Sequence, residues 1–497
     1  MNLVAQLERA ARATPDKPFL RHDGTTITYA QARERSRRAA AVLRGLGIAA
    51  GDRVAAMCFN TPAFVDLLLG TWRLGAAFVP INHKLQAPEV DYMLAHSRCK
   101  VVLFDAALAP VLERVAHPVE RLATEGAVAG VPDFGTLLDA SKGIDGIRPG
   151  DDDVAEILYT SGTTGRPKGC VHSHRTVTLA AMASALSLSM TRDEHTLMAM
   201  PIWHSSPLNN WFGGTLYVGG TVVLLREYHP LRFLEAVERE RVTLYFGAPV
   251  SYTLPLDKVE HFASFDLSSV RAWIYGGGPI GAAQAERLAQ AYRSNAFFQV
   301  YGMTETGPAG TTLYPHEQIA KAGSIGHHGG PGVDLRVVRE DGRDAQPGDT
   351  GEIWLAADSM MLGYLDDPAA TSATFADGWY RTGDVARVDE DGYLFVVDRL
   401  KDMIVTGGEN VYSKEVEDVL SAHPGIVEVA VVGRPHPDWG ETVVAHVVAR
   451  AGAELDGDAL RAFCAERLAG YKIPREYVFA DTLPRTPTGK LQKFMLR

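Results

Sequence analysis

Short apolar runs recur along the first two thirds of this chain, at 100–104, 157–159, 221–225, 242–246 and 270–275, with helical patterns between several of them. That alternation is the pattern of an α/β fold. The segment 25–54, TTITYAQARERSRRAAAVLRGLGIAAGDRV, shows it on a small scale: a β-rich run, an Ala/Arg-rich helix ending at Gly45 and Gly47, and a turn into a strand. After about Gly323 the texture changes. Asp341-Gly342, Gly348-Asp349, Asp377-Gly378 and Asp391-Gly392 split short strands, which predicts a hairpin-rich β subdomain. A second change comes at Val397-Asp398-Arg399-Leu400-Lys401-Asp402, where a charged segment precedes the Gly-rich loop Thr406-Gly407-Gly408-Glu409. The tail beyond it has strands at 427–432 and 443–448 and helices of its own, enough for a small α+β domain. The predicted boundary is Lys401, giving domains 1–400 and 401–497.

A length of 497 residues, at about 150 residues per domain, allows three to four domain-sized units. With 46% apolar and 22% charged residues the chain is neither disordered nor collagen-like. A net charge of −11 argues against a nucleic-acid binder resting on a basic surface, while leaving room for a local basic groove around a phosphate ligand. Cys58, Cys99, Cys170 and Cys464 show no C-x-x-C spacing, so neither a disulfide framework nor a zinc site is expected. Glu8, Arg9 and Arg12 interrupt the N-terminus where a signal peptide would be apolar, and Asp66 and Arg73 interrupt the most apolar stretch, 64–81. The expectation is a cytoplasmic protein with no membrane span.

The stretch Leu158-Tyr159-Thr160-Ser161-Gly162-Thr163-Thr164-Gly165-Arg166-Pro167-Lys168-Gly169 follows a strand and precedes a helical pattern. Three glycines, four hydroxyls and a lysine offer N–H groups, hydroxyl donors and a cation to phosphate oxygens. It is not a Walker loop, because Gly165 is followed by Arg166 with no G-K-[ST] in register. Composition alone also suits a flexible surface loop. Gly276-Gly277-Gly278-Pro279-Ile280-Gly281 formally matches G-x-G-x-x-G, with Pro279 expected in a first helical turn, and a dinucleotide-binding dehydrogenase is the reading it invites. The acid that would hold the ribose is missing, since Phe297-Phe298-Gln299-Val300-Tyr301 has no carboxylate.

Taken in order, the loop at 161–169, Tyr301-Gly302-Met303-Thr304-Glu305-Thr306, Trp379-Tyr380-Arg381-Thr382-Gly383-Asp384, Asp398-Arg399-Leu400-Lys401-Asp402 and Pro484-Arg485-Thr486-Pro487-Thr488-Gly489-Lys490 resemble the adenylate-forming superfamily, in its branch of acyl-CoA synthetases. The resemblance implies an α/β fold: a large N-terminal domain of two α/β sheet subdomains plus a β-barrel-like subdomain, with a small mobile α+β C-terminal domain. It implies that Ser161, Gly162, Thr163, Thr164, Gly165 and Lys168 hold ATP phosphates, that Thr304 contacts phosphate, and that Glu305 holds Mg²⁺. Read alone, Thr304 serves equally as a helix cap and Glu305 as a solvated carboxylate. Asp384 would accept the ribose hydroxyls with Arg399 nearby, and Gly276, Gly277, Gly278, Tyr301 and Gly302 would frame adenine. Lys490 would reach the α-phosphate and the acid carboxylate as charge develops. Lys401 would be the hinge between two half-reactions, and Gly407 and Gly408 would lie beside the tunnel for the pantetheine of CoA.

The activity implied is that of an acid–CoA ligase: a carboxylic acid and ATP give acyl-adenylate and pyrophosphate, then CoA displaces AMP. The alternatives are a stand-alone adenylating enzyme loading a carrier protein, a luciferase-like oxygenase and a non-catalytic nucleotide binder. Partners are expected to be the small-molecule acid, ATP and CoA, with a homodimer allowed. The acyl site falls on segments holding Trp203, Trp211, Tyr245, Phe246, Tyr275 and Met303, with His204 beside the acid carboxylate and no Lys or Arg among them. A diacid or an amino acid would need a buried counter-charge, so the expected acid is an apolar monocarboxylate. Fatty acids are slightly favoured, by a weak likeness of 313–326 to fatty-acyl ligases; the alternative is that the bulk of Trp203 and Trp211 caps the pocket at short or ring-shaped acids. Two departures from the family pattern are Ser413, where many relatives have proline, and Trp203, where phenylalanine is common.

Overall fold

A computed structural model describes residues 2–145, 149–160, 167–400, 402–406, 409–437, 439–453, 455–485 and 491–497. The chain divides into two compact units, one of 1–335 with 355–380 and one of 336–354 with 381–497. The first unit holds two α/β sheets. The larger has the strand order Gly310–Leu313, Phe297–Gly302, Ala272–Gly276, Leu244–Gly247, His195–Met198, Thr221–Leu224, Pro18–His22, Thr25–Thr28, parallel throughout except at its two edge pairs. The smaller runs Gly363–Tyr364, Lys168–Ser173, Val154–Thr160, Ala77–Pro80, Arg53–Met57, Val101–Asp105, Glu120–Thr124, antiparallel at the first two pairings and parallel after them.

One helical layer serves both sheets. Leu3 and Leu7 of the helix Leu3–Ala13, Ala39 and Leu43 of Tyr29–Gly45, and Phe64 and Leu68 of Pro62–Arg73 share a core with Phe78 and Leu103 of the smaller sheet and Leu244 and Ile274 of the larger. The helix Tyr29–Gly45 starts on a capping box between Thr28 and Gln31 and packs unusually close to Pro62–Arg73: a Cβ on Gly70 would come within 2.6 Å of that of Ala39. Each sheet is covered on its other face by a second core, so the first unit is layered α/β/α/β/α. This bears out the α/β class read from the alternation of runs and the two α/β sheets that the resemblance implies.

The hairpin-rich region is also present, as a five-stranded sheet ordered Val333–Val338, Thr350–Ala357, Trp379–Val388, Phe375–Ala376, with Leu394–Arg399 paired to Trp379–Val388. In the second unit, Glu409–Val411, Ile404–Thr406, Gly440–Ala449 and Ile426–His436 form a sheet in that order, with Glu476–Phe479 beside Gly440–Ala449. The helices Ser413–Ser421 and Gly457–Ala465 share its core. All four cysteines are buried and free of disulfides. No helix among the described residues is long and apolar enough to cross a membrane.

Candidate active site

Lys168–Ser173 is a strand where the sequence pattern predicts a helix; the helix His174–Ser187 begins only after it, on a Ser173 cap. The extended backbone has a chemical consequence. Lys168, Cys170 and His172 stand on one face by the two-residue period, and all three reach the turn Thr304–Thr306 or its neighbour Tyr364. Lys168 Nζ lies 4.9 Å from the Tyr364 ring centroid, and the Tyr364 hydroxyl donates to Glu305 Oε1 at 2.9 Å. His172 Nε2–H donates to the Thr304 carbonyl at 2.9 Å, and burial lowers the pKa of this imidazole to about 4, leaving it neutral. Burial and the neighbouring Glu305 carboxylate push the Cys170 thiol well up, so it is an inert packing group.

Glu305 is 8% exposed, and its backbone carbonyl accepts from Met361 N–H at 2.9 Å. The Thr304 hydroxyl stands 3.0 Å from that of Ser205. The turn then closes through Gly307 at φ +87°, where a Cβ would meet the Ser359 carbonyl at 2.5 Å. Buried carboxylate, hydroxyl and lysine thus converge on one spot, a donor set that suits a hard divalent cation and phosphate oxygens.

Gly276 ends the strand Ala272–Gly276 packed tightly: a Cβ there would meet Val300 and Phe246 at 3.0–3.2 Å. A Cβ added to Gly277, at φ +79°, would meet nothing within 4 Å, and one on Gly278 only Pro249 at 3.9 Å, which leaves the backbone of both open to a flat ligand. The following helix starts at Ala282 with Gly281 as its cap, so Pro279 sits in the loop and not in a first helical turn. Tyr301 and Gly302 end the adjacent strand and Met303 caps the turn after it; all three are half-buried.

The acyl-site residues of the sequence reading do not stay together. Trp211 and Phe246 stack at 5.3 Å and 26° on the face shared with Ile274 and Val300. Tyr245 and Tyr275 are one residue out of phase and point to the other face, where Tyr245 is buried against Phe233, Tyr252 and Trp273. Tyr275 donates to Gln318 Oε1 at 2.7 Å and lines a separate apolar cavity of about 350 Å³ with Ile280, Leu288 and Phe297. Strand alternation therefore removes these two tyrosines from the group with Trp211. Beside Trp211, Val300, Asn210 and Pro308 line a cavity of about 40 Å³. Trp203 is half-buried, its indole N–H donating to His83 Nδ1 at 3.1 Å, and His204 next to it is exposed.

In the second unit Asp384 and Arg399 are register partners, joined at 2.9 Å from Arg399 Nε to Asp384 Oδ1, with Asp384 buried and Arg399 half-exposed. Ser413 uses a backbone N–H to bind the Asp398 carboxylate, a bond that proline could not make. Ser161, Gly162, Thr163, Thr164, Gly165, Lys401, Gly407, Gly408 and Lys490 lie outside the described residues.

Tyr364, Ser205 and His172 escape the sequence reading. No alternation of hydrophobicity marks the strand that carries His172, and Tyr364 comes from a two-residue strand that no local pattern marks.

The profile of the AMP-binding enzyme family matches residues 7–365, and that of the AMP-binding enzyme C-terminal domain matches 415–490. The chain is 40% identical over 496 residues to a feruloyl-CoA synthase of an Amycolatopsis species, covering 98% of this chain and 97% of that one. It is 37% identical over 474 residues to a long-chain-fatty-acid–CoA ligase of Mycobacterium tuberculosis, covering 95% and 92%. The structure of o-succinylbenzoate CoA synthetase from Bacillus subtilis with its acyl-adenylate intermediate superposes with a TM-score of 0.89 at 30% identity, covering 99% and 97%.

Proposed function

The chain belongs to the AMP-binding enzyme family, and from that premise we propose that it joins an apolar monocarboxylic acid of compact shape to coenzyme A. Its class is that of the AMP-forming acyl-CoA synthetases, which work through an acyl-adenylate. The observation that carries the choice of acid is the wall made by Trp211, Phe246 and Val300, which is apolar and carries no Lys or Arg. A second carboxylate or an ammonium buried against it would lack a counter-charge. Trp211 is 2% exposed and anchored by its indole N–H to Ser206 Oγ at 3.1 Å, so a long chain meets a fixed ring. A ring-shaped or short acid suits that wall better than a long fatty acid.

The remaining roles follow from the chemistry of the groups. Lys168 and Thr304 hold phosphate oxygens together with Ser161, Thr163 and Thr164, and Glu305 holds Mg²⁺, kept in place by the Tyr364 hydroxyl. When bound, ATP with Mg²⁺ supplies the activated phosphorus that the acid attacks, pyrophosphate being the leaving group. Asp384, fixed by Arg399, accepts the ribose hydroxyls; the open backbone of Gly277 and Gly278 and the ring of Tyr301 receive adenine. His204 orients the acid carboxylate, and Lys490 offsets the charge that develops during attack. Lys401 is the pivot between domains 1–400 and 401–497, and Gly407 and Gly408 border the path of pantetheine. The test is AMP release over a panel of acids: activity confined to diacids or amino acids would overturn the reading.

A further inference from the structure

Glu156, on the strand Val154–Thr160, and Asn209, in the helical turn Ser206–Phe212, are both 0% exposed. Asn209 Nδ2–H donates to Glu156 Oε1 at 2.7 Å. The twin atom of each group, Glu156 Oε2 and Asn209 Oδ1, is buried without a partner. Two acceptors cannot satisfy one another, and two orphaned oxygens in a core are costly. One proton answers both. Placed on Oε2, it turns the carboxyl into a donor to Asn209 Oδ1 and closes a cyclic acid–amide pair with two opposed hydrogen bonds.

We propose that Glu156 is a neutral carboxylic acid locked to Asn209 in this pair, and that the pair positions the acyl-site wall. Asn209 belongs to the π-helical turn Ser206–Phe212, which also carries Trp211. The rest of that turn is pinned by Ser184 Oγ to the Asn210 carbonyl at 2.9 Å, by Asn210 Nδ2 to the Pro308 carbonyl at 3.2 Å and by Thr215 Oγ1 to the Trp211 carbonyl at 2.6 Å. The Glu156 pair adds an anchor from the neighbouring sheet, two residues from the indole that stacks on Phe246.

The surroundings bring no charge to offset an ionised Glu156. Phe78 is its register partner on Ala77–Pro80, and His172 its partner on Lys168–Ser173. His172 on the adjoining strand and His174 at the start of the helix after it are both held neutral by burial, with pKa values lowered to about 4. Burial pushes Glu156 up to about 7, against the pull of the Asn209 bond. Raising the pH through neutrality therefore removes the shared proton, sets a charge against Asn209 Oδ1 and loosens the turn.

Two measurements on the full chain test this. The first is the infrared difference between the wild type and Glu156→Gln, which keeps the shape and both hydrogen bonds without a titratable proton. A protonated-carboxyl C=O band present at about pH 6, fading towards about pH 9 and absent from the variant is expected. A wild-type spectrum without that band at any pH in this range overturns the neutral acid. The second is the pH profile of KM for the acid. It should rise several-fold across the same range in the wild type and stay flat in Glu156→Gln, with KM for ATP the same in both; Glu156→Leu should show the raised KM at every pH. Identical profiles in wild type and Glu156→Gln overturn the positioning role. That role rests on the ligase reading above, whereas the infrared band needs no turnover. A chain inactive on every acid would sink the ligase reading and the positioning role together, while the band still decides the protonation state.

Discussion

In the proposed mechanism Lys490 and Glu305 carry the heaviest chemical demands of any single residues. Lys490→Ala removes a cation from the transition state, a loss of roughly 3 kcal/mol if it resembles an oxyanion donor, so adenylation should fall by about two to three orders of magnitude. Thioester formation from preformed acyl-adenylate, followed separately, should be far less affected; equal losses in both halves would contradict the role. Glu305→Gln keeps the hydrogen bond from Tyr364 but loses the charge, and a Mg²⁺ titration should show a raised requirement with little change in acid binding. Glu156 makes a prediction about stability. Its folded pKa of about 7 lies above the ordinary carboxyl value of 4.5, so the folded state holds the extra proton between the two. Stability contributed by this group is full below 4.5 and is lost as the pH rises through 7, up to about 3 kcal/mol. Glu156→Gln should thus stabilise the chain in denaturant melts at about pH 8 more than at about pH 5, and an equal shift at both would contradict the raised pKa.

At the scale of elements, what the sequence makes legible and what it hides follow from periodicity. The α/β alternation and the hairpin-rich region are local patterns, and both are found in the structure. The strand Lys168–Ser173 escapes because its apolar members Cys170 and Val171 are adjacent and the run joins a helix without a turn, so no alternation of hydrophobicity marks it. Tyr245 and Tyr275 group with Phe246 by proximity in sequence, and the pleat sends them to the far side of the sheet. The bond between Glu156 and Asn209 spans 53 residues and joins a strand to a helical turn, and no spacing rule reaches it. The π-helical turn yields its own prediction. Trp211→Ala should move the preference of the enzyme towards longer acids, seen as a kcat/KM ratio of long to short acid raised about tenfold or more, at a stability cost of about 3–5 kcal/mol. An unchanged ratio in a folded variant would take Trp211 out of the acyl wall.

For the molecule as a whole, the proposed mechanism makes Lys401 the pivot between the two half-reactions. Proline there fixes φ near −65° and restricts Leu400, so one half-reaction should suffer much more than the other when each is assayed alone. Small and equal effects would remove the pivot. The central claim, a ligase for a compact apolar monocarboxylic acid and CoA, is tested most directly by acid-dependent AMP release across a panel of acids with and without CoA. Sustained release that requires CoA and peaks on aryl or short aliphatic acids is the predicted result. Release that is indifferent to CoA, or that is greatest with a malonate, an amino acid or a carnitine derivative, would contradict it.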